Sequence, residues 1–165
     1  MKETIVNRNK LTGIINKPHQ QLINPIIMAI HHINCRTASS GIDNLATIVD
    51  AMTWLCGDEE LLLIDRTTSF HGSEINLITS HISKNRDIKS FVDKLKQADL
   101  LKISENLSDR IDDSNILHFR ICLDSLISGE ISLAEADKKT VKCSIKIEVY
   151  PGQNAVEEIT NFLGL

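Results

Sequence analysis

The clearest pattern in the chain is a period of two in its C-terminal third. In 141–150, Val141, Cys143, Ile145, Ile147 and Val149 point one way, and Lys142, Ser144, Lys146, Glu148 and Tyr150 the other. In 115–124, Leu117, Phe119, Ile121 and Leu123 share one side, while Ile116, His118, Arg120, Cys122 and Asp124 share the opposite one. Successive side chains of a strand project to opposite faces, so each run predicts a strand with one face on a core and one toward water. If the two lie in one sheet, Lys142 and Lys146 on the watery face are joined by His118 and Arg120.

The rest of the chain fills in around these strands. Residues 26–36 predict a first strand whose near-continuous apolar start implies cover on both sides. Strand alternation sets His31 with Ile33 and Cys35, and His32 on the opposite face with Arg36. Ile42, Leu45, Ile48, Val49, Met52 and Leu55 recur at helical spacing and predict a helix over 42–56. Ser40 is its expected cap, Asp43 suits its positive end, and Gly57 is its expected stop. Met52 and Trp54 read as core. Residues 60–70 and 75–82 predict two strands turning at His71-Gly72-Ser73. A second helix over 85–101 sets Ile88, Phe91, Val92, Leu95 and Ala98 against Arg86, Lys89, Lys94 and Lys96. A short helical piece carries Ile103 and Leu107, and an acidic turn spans 109–114. Residues 125–133 predict a short strand or a bend at Gly129. Pro151-Gly152 ends the last strand, and Asn154 with Glu157 fits a capping box for a final helix bearing Val156, Ile159, Phe162 and Leu163.

The order is therefore β-α-β-β-α-β-(β)-β-α. Hairpins outnumber βαβ units, which predicts an α+β fold: a mainly antiparallel sheet with helices packed on one face. Residues 1–21 are polar and slightly basic and read as an N-terminal extension, a basic arm or an extra strand around 11–15. Residues 22–165 read as a single domain.

Composition narrows the function. The formal charge is −4, which argues against a generally basic nucleic-acid binder. The charge is uneven, though: 84–102 is basic and 105–137 acidic, so any polyanion site is a local patch. The four cysteines form no C-x-x-C pair, and they read as buried free thiols of an intracellular, cytoplasmic protein. No apolar run approaches the roughly 20 residues of a membrane-spanning helix.

Candidate chemistry is sparse. His31 and His32 alternate on a strand and so do not share an ion, and His31 with Cys35 lacks two further ligands. Cys122 and His118 lie four residues apart, about 13 Å at strand rise, too far for a nucleophile–base pair. Ser125 and Ser128 lack a nucleophile elbow, and no phosphate-binding glycine loop occurs. The expectation is a non-enzymatic protein without catalytic residues, metal or cofactor. What remains is a set of spaced cations, Arg36, Arg120, Lys142 and Lys146. They suit a phosphate backbone, or serve only to solubilise an outer sheet face. No aromatic pair for base stacking accompanies them, so backbone and shape recognition is expected over base reading.

Several short motifs, in order, add a resemblance. Leu117-His118-Phe119-Arg120, followed by Gly129-Glu130-Ile131 and the closing strand and helix, resembles an archaeal family of RNA-binding or exosome-associated proteins. That family's fold is like that of the large-subunit ribosomal protein that binds 5S ribosomal RNA. Its pattern is an Arg, an Asp-Lys-Gln run and a Gly-Glu. Arg120, Gly129 and Glu130 match, while Cys122-Leu123-Asp124 replaces the polar run. Ala38-Ser39-Ser40 is similar to the family's Ala-Thr-Glu. Ser69-Phe70-His71-Gly72-Ser73 is similar to its Gly-His-Tyr-Gly-Asn hairpin, keeping the second glycine. The resemblance spans roughly 26–163 and implies a diverged member with RNA and other RNA-processing proteins as partners. The competing expectation is a protein-interaction or structural module, a homodimer through an open sheet edge. A weaker third is an enzyme with its site near His71 or the His31/Cys35 strand.

Overall fold

The computed structural model describes residues 29–98 and 101–165. The expected extension, the 11–15 strand and the start of the first strand lie outside these residues. Five strands, β1 (Ile30–Ser40), β2 (Leu62–Thr68), β3 (Glu74–Ile82), β4 (Ile116–Cys122) and β5 (Thr140–Ile147), form one sheet in the order β2-β3-β1-β5-β4. Every neighbouring pair is antiparallel, so the fold is α+β as the hairpin-rich order predicts. β1 and β5, far apart in sequence, are paired near the middle of the sheet.

Helices α1 (Leu45–Cys56), α2 (Asn85–Lys96), α3 (Leu101–Ser104), α4 (Leu107–Arg110), α5 (Leu123–Ile127) and α6 (Ala155–Leu163) complete the chain. The longer ones lay their apolar stripes on one face of the sheet. Ile33, Cys35, Ile78, Ile82, Leu117, Phe119, Ile121, Val141, Cys143 and Ile145 supply the sheet's side of the core. Ile48, Met52, Leu55, Ile88, Phe91, Leu95, Ile159 and Phe162 supply the helical side. With so few aromatics, close interdigitation of branched aliphatics carries most of the burial, at about 25 cal/mol per Å2 of apolar surface. No helix among the described residues is long and apolar enough to cross a membrane.

Local chemistry explains where the elements stop, and where expectation needs correcting. The first helix starts at Leu45, because Asn44 is its N-cap, accepting from the Thr47 amide. Ser40 instead donates its amide N–H (2.8 Å) and hydroxyl (2.7 Å) to Asp43, which also pairs with Lys139. Ile42 falls before the helix and is 96% exposed. Gly57 ends α1 at φ +104°, a left-handed position that a Cβ disfavours. Trp54 is exposed rather than core; Lys94 of α2 donates to its backbone carbonyl and sits 5.6 Å above its ring. Lys96 lies 5.7 Å over the Phe162 ring. Part of the basic side of α2 is thus used to join helices. α2 itself ends at Lys96, short of the expected 101.

The span 125–133 is neither a strand nor a simple bend. α5 occupies Leu123–Ile127, and Gly129 turns the chain back so that Leu133 bridges Ile121 on the outer edge of β4. Among the described residues, β2 is the bare edge. Every residue from Leu63 to Thr68 is exposed on one face or the other, and Leu63 is 60% exposed.

Candidate nucleic-acid interface

The face of the sheet opposite the helices is open. On β1 it carries His32, Asn34, Arg36 and Ala38; on β5, Lys142, Ser144 and Lys146; on β4, His118 and Arg120. Among the described residues, the first strand is therefore covered on one side only, not on both.

Strand register sets these side chains in rows. Arg120 pairs with Lys142, Lys142 with Arg36, and Arg36 with Thr79. Opposed residues in an antiparallel ladder sit about 4.5–5.5 Å apart at Cα, so three cations stand shoulder to shoulder across β4, β5 and β1. Arg36, Arg120 and Lys142 are all exposed. Among the described residues none of the three makes a side-chain hydrogen bond or ion pair. Like charges directly opposed destabilise a sheet. The next row is His118, Ser144, Asn34 and His81, and the next is Ile116, Lys146 and His32. Lys146 is half-buried and donates to the Ser114 carbonyl, so it is partly committed to holding the turn before β4. All four cations expected from the sequence thus share one face, three of them in one row.

The histidines differ from expectation. The β1–β5 register shifts between Ile30 and His32. This bulge keeps both Ile30 and Ile33 in the core and brings His31 beside His32, with their Nδ1 atoms 2.8 Å apart. One ring nitrogen therefore donates and the other accepts. The His32 and His81 rings are 5.0 Å apart, and Asn34 Oδ1 lies 2.7 Å from His81 Nδ1. Burial lowers the pKa of His32 first, reinforced by His81, His31 and Lys146. No group of three metal-ligating side chains assembles among the described residues, though His31 and His32 do meet.

On β4, His118 Nε2 is 2.8 Å from Asp112 Oδ2. That bond, above the backbone amides of Ile116 and Ser114, holds the Asp112 carboxyl below its ordinary range. The outer edge of β4 is covered in two places: Ile111 bridges Leu117, and Ala134 donates its amide N–H to the Arg120 carbonyl. Between these points lies a cavity of about 400 Å3 lined by Arg110, His118, Arg120, Leu133, Ala134 and Lys142. Arg110 is half-buried, and its Nε is buried without a hydrogen-bond partner. Leaving such a donor unsatisfied costs about 1–3 kcal/mol. Sequence reasoning missed Arg110, which sits in an acidic stretch and belongs to a helix of four residues. Only the bridge of Ile111 to Leu117 brings it beside Arg120.

The cysteines offer little for catalysis. Cys35, Cys56 and Cys143 are buried, with Cys35 Sγ 3.6 Å from Cys143 Sγ and Cys56 Sγ 3.1 Å from Ser80 Oγ. Hydrogen bonding to a neighbouring thiol, Cys143 for Cys35 and Cys35 for Cys56, and after it burial, push the Cys35 and Cys56 thiols up. Cys122 is half-buried, and hydrogen bonds from Ser125 lower its pKa.

The fold has counterparts among solved structures. No curated protein matches the chain significantly. A DUF54 protein from Methanothermobacter thermautotrophicus superposes with a TM-score of 0.70 at 21% identity, covering 82% of this chain and 98% of that one. One from Archaeoglobus fulgidus gives 0.70 at 20% identity over 81% and 99%. One from Sulfolobus solfataricus gives 0.61 at 16% identity over 81% and 97%. These likenesses show a shared fold among archaeal proteins. The sequence itself matches the family described as RNA binding over residues 32–149, a span that runs from the third residue of β1 through β5 and takes in all four cations, and the chain belongs to that family.

Proposed function

We propose that this protein binds RNA, gripping the sugar–phosphate backbone on the open sheet face through Arg36, Arg120 and Lys142, with Lys146 at the margin. The observation that carries the reading is the row of three exposed cations in register with no acid among them. A sheet gains nothing in stability from that row, whereas a polyanion laid across it releases counterions at every contact. The RNA-binding family that the chain belongs to supports the same partner. Among the described residues no Phe, Tyr or Trp pair lies on this face, which favours backbone recognition over base reading. The role is that of an accessory protein in RNA processing, binding without catalysis. Association with the exosome is the assembly that the resemblance of Arg120, Gly129 and Glu130 to the archaeal family suggests.

The test is binding of a structured RNA at two salt concentrations, beside a Lys142→Ala/Lys146→Ala double variant. Micromolar binding is expected to weaken with salt, and the variant to lower the slope of log affinity against log salt by about one to two. No binding at low salt removes the proposal. A second reading rests on β2, whose exposed Leu63 and Ile64 lie on an uncovered strand edge. Such an edge can pair with a second copy. Sedimentation equilibrium of the wild type and Ile64→Lys tests it: a dimer that the variant dissolves supports it, and a monomer at all concentrations rules it out.

A further inference from the structure

We infer that the cavity on the outer edge of β4 is a built pocket for one phosphate group. This rests on the RNA reading for its natural ligand and adds to it a discrete anchor. Three features converge there. Arg110, Arg120 and Lys142 bring three positive charges to one cavity of about 400 Å3, and among the described residues no carboxylate lines it. Asp112, two residues from Arg110, is turned to His118 instead. Arg110 holds a buried Nε–H with nothing to donate to. A guanidinium matches the oxygens of a phosphate in a two-pronged fashion, which supplies the missing acceptor. The Arg120 carbonyl faces this edge, taking the Ala134 amide, and by strand geometry the Arg120 N–H points the same way.

The pocket differs in kind from the open face. Arg36, Lys142 and Arg120 form a flat row that any polyanion can cross. Arg110 lies beside that row at the sheet's edge and is half-buried. A flat row alone has no use for a half-buried guanidinium whose Nε is shut away. Together they fit a strand whose backbone runs along the row and turns one phosphate into the cavity. That phosphate is either an internal diester at a bend or a terminal monoester at a strand end.

The experiment uses the full chain with 15N-labelled arginine and follows the Nε–H resonances by NMR. Inorganic phosphate is titrated first. A saturable shift of the Arg110 resonance, lost in Arg120→Gln, supports the pocket. No shift of Arg110, or a shift unchanged in Arg120→Gln, overturns it. Arg120 is exposed, so this variant spares the core should Arg110→Gln fold poorly. Short single-stranded RNAs with a 5′-phosphate or a 5′-hydroxyl are then compared. A preference of about tenfold for the phosphorylated end, abolished in Arg110→Gln, assigns the pocket to a terminal monoester. Equal binding with Arg110 shifted assigns it to an internal diester. RNA binding that leaves Arg110 unshifted and is indifferent to Arg110→Gln overturns the pocket while the sheet-face reading stands. A phosphate-dependent shift of Arg110 without RNA binding keeps the pocket and overturns the RNA reading.

Discussion

Lys142 stands directly across the β1–β5 ladder from Arg36, and no acidic side chain shares their row. Two cations close by do have partners: Lys139, just before β5, pairs with Asp43, and half-buried Lys146 donates to the Ser114 carbonyl. A repulsive pair left uncompensated beside compensated ones is a local conflict between stability and use.

Relieving that conflict has two opposite effects. Opposed like charges cost about 0.2–1 kcal/mol, so Lys142→Gln raises stability by a few tenths of a kcal/mol in urea unfolding while weakening RNA binding. A variant that loses stability and keeps its affinity contradicts both parts.

Asp43 governs the acid limb. Its carboxyl is held at about 2, first by Lys139 and then by the Ser40 amide and hydroxyl, against an ordinary 3.8. A depressed carboxylate pKa contributes stability above the unfolded value that is lost as pH falls through the folded one. Stability is therefore lost between about pH 4 and about pH 2. Asp43→Asn removes the part of this decline due to that carboxyl, which thermal melts across the window detect as a shallower slope.

His32 works in a different window. Its pKa is below 6.5, so the folded state resists protonation. Stability from this residue is complete above 6.5 and declines as pH drops past it. RNA acts in the other direction, because phosphates on this face favour protonated rings. Affinity is expected to rise as pH falls from 7.5 to 6 while the melting temperature falls. His32→Gln flattens both trends, by titration and by melting respectively. A pH-independent affinity would separate the histidine rows from the RNA contact.

The thiols report burial. Cys122, half-buried and with a lowered pKa, is alkylated first under native conditions. Cys35, Cys56 and Cys143 are alkylated only upon unfolding. Peptide mass mapping over a time course of iodoacetamide checks the order, and early labelling of Cys35 would contradict the packing of β1.

Much of this was legible in sequence where burial acts on one face at a time. The alternation through Val141, Cys143 and Ile145, and through Leu117, Phe119 and Ile121, fixed which residues face water, because a one-residue slip would bury Lys142 and Arg120. The face of His31 was not legible. A bulge adds one residue to one strand, and the apolar run before His31 fits either register. Residues 123–133 misled for another reason. Their short apolar spacing suits a strand or a single helical turn equally well, and tertiary contact with β4 decides. Arg110 was invisible because its importance comes from a bridge between Ile111 and Leu117, set by a turn rather than by any period.

The placement of β1 beside β5 has a consequence for how the protein comes into being. Cys35 and Cys143 touch across 108 positions of sequence. Closing so long a loop is entropically costly and slows folding. On the ribosome, β1 emerges well before β5, and its neighbour on one side is missing until the residues between them have been made. The cation row, shared among β1, β5 and β4, cannot assemble before then. A nascent or truncated chain therefore presents no complete row to any nucleic acid near the ribosome, and on the proposed reading the capacity to bind arrives together with the finished sheet.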